Sequence, residues 1–181
     1  MTKASLNLPN ILALFRIALA PLMLWFFIDR HNPIFSSWHP SWFDYFAGLI
    51  FVIASVTDFF DGFIARNWDQ MTKLGGILDP LADKMLVLAG VLGLMAIDRA
   101  SVWAIFLILS REFFITGLRV VAVSEGKNVS STMAGKIKTV VQMIAIGFLT
   151  MNWPFAIEFL WLAVILTIYS GYEYTRDYFK L

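Results

Sequence analysis

Residues 58–83 read DFFDGFIARNWDQMTKLGGILDPLAD and lie between two long apolar runs. Asp58 and Asp61 are three residues apart and Asp79 and Asp83 four apart, so each pair projects from one side of its helix. Apolar residues precede the first pair and follow the second. The chain is therefore expected to fold with two consecutive helices whose acidic ends lie at one edge of an apolar layer. Ionised carboxylates beside a bilayer core are costly, and they mark sites where they pair with one another or with a cation. Four anions converging from two helices call for positive charge, and hard divalent cations such as Mg²⁺ take oxygen ligands. The pattern is read as a carboxylate cage for one or two metal ions. A single Asp at a helix end is ordinarily a cap or a solvated charge, and Asp69 is read that way.

The residues between the two pairs point to a phosphate-bearing ligand. Gly62 follows the second Asp, Ala65 and Arg66 follow at fixed spacing, and Gly75 lies one helical turn before Asp79. Small side chains let a bulky ligand approach the backbone, and Arg66 offers a planar fork of donors suited to phosphate. The whole pattern, D-x-x-D-G-x-x-A-R-x8-G-x3-D-x3-D, resembles the signature of the CDP-alcohol phosphatidyltransferase family. Its fixed positions are met by Asp58, Asp61, Gly62, Ala65, Arg66, Gly75, Asp79 and Asp83.

The resemblance implies metal ligation by Asp58, Asp61 and Asp79. It implies Asp83 as the base that takes the acceptor's proton, with contact to a second Mg²⁺ or Mn²⁺ ion. Gly62, Ala65, Arg66 and Gly75 correspond to positions around the CDP moiety, and Thr57 is close enough in sequence to join them. It further implies a six-helix membrane protein, a homodimer, and attack of an alcohol on the lipid-bearing phosphorus of CDP-diacylglycerol, with CMP leaving.

The bottom-up chemistry agrees. A nucleotide pyrophosphate carries dense negative charge, which paired metal ions clamp while they polarise phosphorus and stabilise the leaving phosphate. Most of the remaining work is electrostatic stabilisation and alignment. A carboxylate must also accept the proton of the attacking hydroxyl. An Asp fully engaged with metal is a poor base, which favours Asp83, the last of the four.

Composition sets the environment. The 181-residue chain is 59% hydrophobic and only 15% charged, where a soluble domain carries nearer a quarter. It is read as one membrane domain over residues 1–181, all-α, with spans at about 11–28, 43–61, 80–97, 102–121, 137–152 and 155–174. The net charge of +1 gives no footprint for nucleic acid, and the lack of cysteine excludes disulfides and thiolate chemistry. Ala18-Leu19-Ala20 superficially fits a signal cleavage site, but Arg16 interrupts the apolar run and Pro21 follows, so an uncleaved first helix is expected. Lys3, Arg66, Lys73, Lys127, Lys136 and Lys180 fall on one side and Arg30 and Arg99 on the other. The positive-inside rule then places both termini and the Asp58–Asp83 connection in the cytoplasm, at the ends of the second and third spans, with a bacterial inner membrane as the expected location.

Charges within the apolar runs need a reason. Arg16, Lys84, Arg111, Glu112, Arg119, Lys136 and Lys138 are such residues. Arg111-Glu112 as a buried ion pair and Lys136 or Lys138 as side chains reaching to headgroups are the structural readings. The functional one is a cationic pocket: Arg111, Arg119, Lys136 and Lys138 are expected to bind an acceptor phosphate, Arg as a fork and Lys as a point charge. The segments SREFFITGLR (110–119), GKIKT (135–139) and NLPNILALFRI (7–17) resemble the branch of the family that makes phosphatidylglycerol phosphate, which implies sn-glycerol 3-phosphate as acceptor. A phosphatidylserine- or cardiolipin-forming member is the rival within the family. A divalent-cation transporter is the rival outside it, disfavoured because no internal repeat appears and the Asp residues sit at one edge beside Arg66.

Overall fold

The computed structural model describes residues 7–30, 32–67, 74–126 and 132–180, without the side chains of residues 34 and 59–67. Among these residues there are six α-helices, one 3-10 turn at Pro33–Phe35, and no strand. The helices are α1 (Leu8–Ile28), α2 (Ser41–Asn67), α3 (Gly75–Ala96), α4 (Val102–Ser124), α5 (Met133–Thr150) and α6 (Ala156–Lys180). Each expected span overlaps one of them, to within a residue or two at its ends.

The helices outrun the expected spans at several ends. Helix α2 continues to Asn67, α3 starts at Gly75, and α6 runs on to Lys180. An apolar run marks the length that avoids water, whereas the hydrogen-bonded backbone continues through the polar turns beyond it. The signature therefore lies on helical backbone at both of its ends.

Among the described residues α1, α5 and α6 are long and apolar enough to cross a membrane. The other three carry most of the charges of the expected sites: Asp58, Asp61 and Arg66 on α2, Asp79, Asp83 and Lys84 on α3, and Arg111, Glu112 and Arg119 on α4, with Lys136 and Lys138 on α5. Large apolar side chains stand exposed on every helix, among them Phe15, Val52, Ile77, Phe113, Val140 and Ile165. So much exposed apolar surface suits a lipid surround better than water.

The chain divides into two compact units, Met1–Ile97 and Asp98–Leu181. In the first, α1 packs against both α2 and α3. Asn7 caps α1 by accepting from the Asn10 N–H at 3.2 Å, and Pro9 stands in the first turn, where its missing donor costs nothing. Beyond the buried Pro9 and Asn10 of its first turn, the buried positions of α1 are Ala13, Arg16, Ala20, Met23 and Phe27, alternating three and four residues apart along one seam. Gly93 of α3 completes it, because a Cβ there would fall 2.2 Å from the Phe27 ring. A Cβ at Gly117 or Gly147, by contrast, would have no atom within 4 Å.

In the second unit α6 is the helix that touches both α4 and α5. Its buried face runs through Leu160, Ala163, Val164, Thr167, Ser170, Gly171 and Tyr174. Helix α5 begins at a Thr132 cap, whose hydroxyl accepts from the Gly135 N–H at 3.1 Å. Arg99 donates to the Thr150 carbonyl at 2.8 Å and closes the other end of that helix.

Candidate active site

The first unit gathers the carboxylates around a residue that the sequence reading left without a role. Arg16 projects from the α1 seam between two alanines and is 0% exposed. One terminal nitrogen, Nη1, forms an ion pair with Asp58 Oδ1 on α2. The other, Nη2, lies 3.8 Å from Asp79 Oδ1 on α3. Both contacts use Oδ1, so the Oδ2 atoms of Asp58 and Asp79 lie outside them. The guanidinium thus brings the first Asp of one expected pair and the first Asp of the other to the same side chain.

Asp58, Asp79 and Asp83 are half-buried. Asp83 has a partner of its own, and Thr57 donates its hydroxyl back to the Ile53 carbonyl at 2.6 Å. Gly75 is buried in the first turn of α3. Asp61, Gly62, Ala65 and Arg66 lie on the last turns of α2, and their side chains fall outside the described residues.

Among the described side chains, which leave out that of Asp61, no three His, Cys, Asp or Glu gather tightly enough to hold a metal ion. The donor set nonetheless suits a hard cation. It consists of carboxylate oxygens, and Asp79 Oδ1 is buried with no hydrogen-bond partner among the described residues. A buried acceptor lacking a donor is costly unless a cation serves it, and Arg16 at 3.8 Å serves it only by charge.

The second unit holds the expected cationic residues. Arg111 on α4 reaches α6, where Nη2 donates to Ser170 Oγ at 3.0 Å. It needs Gly171 to do so, since a Cβ there would lie 3.1 Å from Arg111 Cγ. Glu112 is the anion of this region. Its Oε1 pairs with Lys138 Nζ on α5 and lies 3.4 Å from Arg111 Nη1. Lys138 is 4% exposed, so its charge is carried by that pair rather than by water.

Arg119 lies two turns beyond Arg111, with its guanidinium carbon 5.9 Å from the centre of the Tyr174 ring. Ser170 and Tyr174 are four residues apart on α6, so Arg111 and Arg119 address one face of that helix. Lys136 is exposed near the start of α5. Arg111 and Lys138 are thus joined through Glu112, Arg119 flanks them along α6, and Lys136 stands outside the buried network. Three groups went unassigned in the sequence reading: Arg16, Glu112 as the counter-charge of Lys138, and the Ser170–Tyr174 face. The first two were visible as charges inside apolar runs.

Comparison with known proteins points the same way. A family model described as CDP-alcohol phosphatidyltransferase matches residues 6–169. A protein of Bacillus subtilis named CDP-diacylglycerol--glycerol-3-phosphate 3-phosphatidyltransferase is 39% identical, with 93% of each chain covered. A protein of the same name in Escherichia coli K12 is 34% identical over 93% of this chain and 92% of its own. Another from Cereibacter sphaeroides is 38% identical over 79% of this chain and 62% of its own.

Proposed function

The chain belongs to the CDP-alcohol phosphatidyltransferase family, and on that premise we propose that it transfers the phosphatidyl group of CDP-diacylglycerol to sn-glycerol 3-phosphate. The products are phosphatidylglycerol phosphate and CMP. The observation that carries the acceptor is the name shared by relatives that match this chain over most of its length. The Arg111, Arg119 and Lys138 arrangement supports it, because an alcohol without a phosphate has no need of so many cations.

The family uses a divalent metal. Asp58, Asp61, Asp79 and, in part, Asp83 would hold it, as one or two Mg²⁺ or Mn²⁺ ions. When bound, the metal neutralises the pyrophosphate and polarises the phosphorus under attack. Thr57, Gly62, Ala65, Arg66 and Gly75 hold the CDP end, the small residues by letting it close on the backbone and Arg66 by its fork of donors.

Arg111, Arg119, Lys136 and Lys138 hold the acceptor phosphate and so fix the attacking hydroxyl. Asp83 takes the proton of that hydroxyl as its oxygen bonds to the lipid-bearing phosphorus. The bond from that phosphorus to the bridging oxygen breaks, and CMP departs with the bonding pair. Alignment and charge supply most of the acceleration in such displacements.

In this reading residues 1–181 work as one domain in the membrane, all six helices span it, and the chain pairs as a homodimer. The Asp58–Asp83 edge and both termini face the cytoplasm, in a bacterium across the inner membrane. CDP-diacylglycerol arrives laterally through the lipid and glycerol 3-phosphate from the water.

The test is CMP release by purified protein supplied with CDP-diacylglycerol and Mg²⁺. Glycerol 3-phosphate, serine, inositol and phosphatidylglycerol are offered in parallel. Release with glycerol 3-phosphate alone is the expected result. Release with one of the others instead overturns the acceptor assignment, and release with none overturns the transferase reading.

A further inference from the structure

We propose that Arg16 is a positioning residue for the carboxylate cage, a fixed cation that holds Asp58 and Asp79 in register for the metal ion. The inference deepens the functional reading above and rests on its metal site.

The argument starts from cost. A guanidinium that is 0% exposed on a helix otherwise rich in apolar residues is expensive unless its donors meet anions. Among the described residues Arg16 meets Asp58 from α2 and Asp79 from α3, through separate nitrogens of one rigid fork. Ala13 and Ala20, both buried on the same seam, leave room for it. Helix α1 packs on α2 and α3 together, so a group on its buried seam is the natural clamp between them. Without that clamp, two carboxylates approaching in a medium of low dielectric repel each other, and the helix ends that bear them splay.

The geometry also limits the role to positioning. Arg16 engages Oδ1 of each aspartate, and the second oxygen of each remains outside its contacts. Asp79 Oδ1, at 3.8 Å, receives charge but no hydrogen bond. A single guanidinium therefore does not satisfy the pair, and a divalent ion completes what it begins. Arg16 is a permanent charge, since guanidinium does not deprotonate in proteins, so the clamp is present before the metal arrives.

The experiment measures Mn²⁺ binding to purified protein in detergent by electron paramagnetic resonance, with no substrate present, beside turnover. Arg16→Met is expected to weaken Mn²⁺ binding at least about 10-fold and to lower kcat, while the KM for glycerol 3-phosphate changes less than about 2-fold. Arg16→Lys keeps a buried cation without the fork. It is expected to fold, to bind Mn²⁺ several-fold more weakly than the parent chain, and to recover part of the kcat lost in Arg16→Met.

A merely structural role would reduce the yield of folded protein yet leave the Mn²⁺ affinity of the folded fraction unchanged. Unchanged or tighter binding in Arg16→Lys overturns the proposal even if Arg16→Met does not fold. No Mn²⁺ binding by the parent chain also overturns it, together with the metal assignment. Intact Mn²⁺ effects alongside CMP release with a different alcohol would instead leave Arg16 in place and overturn only the acceptor.

Discussion

The two units solve opposite charge problems with one device. In the first, carboxylates from α2 and α3 gather about a single buried cation, Arg16. In the second, cations from α4 and α5 gather about a single anion, Glu112. In each case, among the described residues, a central counter-charge makes the cluster tolerable among apolar helices without neutralising it. Among the described residues the surplus is opposite in sign to what each region is proposed to bind: a metal ion at the first, a phosphate at the second. A buried pair that served stability alone would be matched one to one, since an uncompensated charge in such a setting is penalised.

The sharpest way to break the comparison is to remove anions from the first region. Asp58→Asn or Asp79→Asn deletes an oxygen anion that the metal is proposed to require and removes one of the carboxylates paired with Arg16. Turnover is expected to fall by at least about 1,000-fold, the scale of losing a preorganised electrostatic element. Mn²⁺ affinity should fall with it. An Asp79→Asn protein with parental Mn²⁺ affinity and rate would remove Asp79 from the metal set.

Asp83→Asn separates holding from chemistry. As the proposed base, it should cost about 100- to 10,000-fold in kcat, the usual contribution of a positioned acid or base. Mn²⁺ and CDP-diacylglycerol binding should survive better than in Asp79→Asn. Near-parental kcat in Asp83→Asn would assign the proton to another group.

Much of the first region was legible in the sequence, and the reason is local. The Asp pairs obey helix spacing, so their shared faces follow from numbering alone, and residues on the α2 and α3 ends could be placed without a fold. The partners of Arg16 were not legible in the same way. The nearer in sequence, Asp58, lies 42 positions away on another helix, and spacing carries no information at that distance. The same limit applies to Lys138 and Glu112, which are 26 positions apart. Both were readable as charges in apolar runs needing an explanation, but only packing names the explanation. Gly171 is a third kind of case. Its role is to be absent where Arg111 passes, and nothing in its own neighbourhood in the sequence signals that. Helix ends such as Asn67 and Gly75 lie beyond the expected spans because hydropathy reports the lipid-facing length and not the hydrogen-bonded one.

The second region is tested by removing its anion. Glu112→Gln removes the carboxylate that pairs with Lys138, a side chain at 4% exposure. The folded state should lose about 1–3 kcal/mol, less than for a fully buried pair because Glu112 is itself partly exposed. Glycerol 3-phosphate should then raise the unfolding temperature more in Glu112→Gln than in the parent, since a bound phosphate replaces the lost anion. An equal shift in both proteins would mean that the phosphate does not reach Lys138.

The smallest effect reads the far end of the same network. Arg119→Ala should raise the KM for glycerol 3-phosphate about 10-fold and leave that for CDP-diacylglycerol nearly unchanged, a charged hydrogen bond being worth about 1.5–3 kcal/mol. Equal effects on both KM values would move Arg119 out of the acceptor pocket. Tyr174 then tells how Arg119 is held. Its ring lies under the guanidinium, and its buried hydroxyl has no hydrogen-bond partner among the described residues. If the ring alone steers Arg119, Tyr174→Leu should raise the acceptor KM about 2- to 5-fold, the scale of one exposed cation–π contact, while Tyr174→Phe behaves as the parent or is slightly more stable. If instead Tyr174→Phe raises the KM as much as Tyr174→Leu, the hydroxyl itself meets the acceptor. The surplus of the second region would then comprise a hydrogen-bond donor as well as cations.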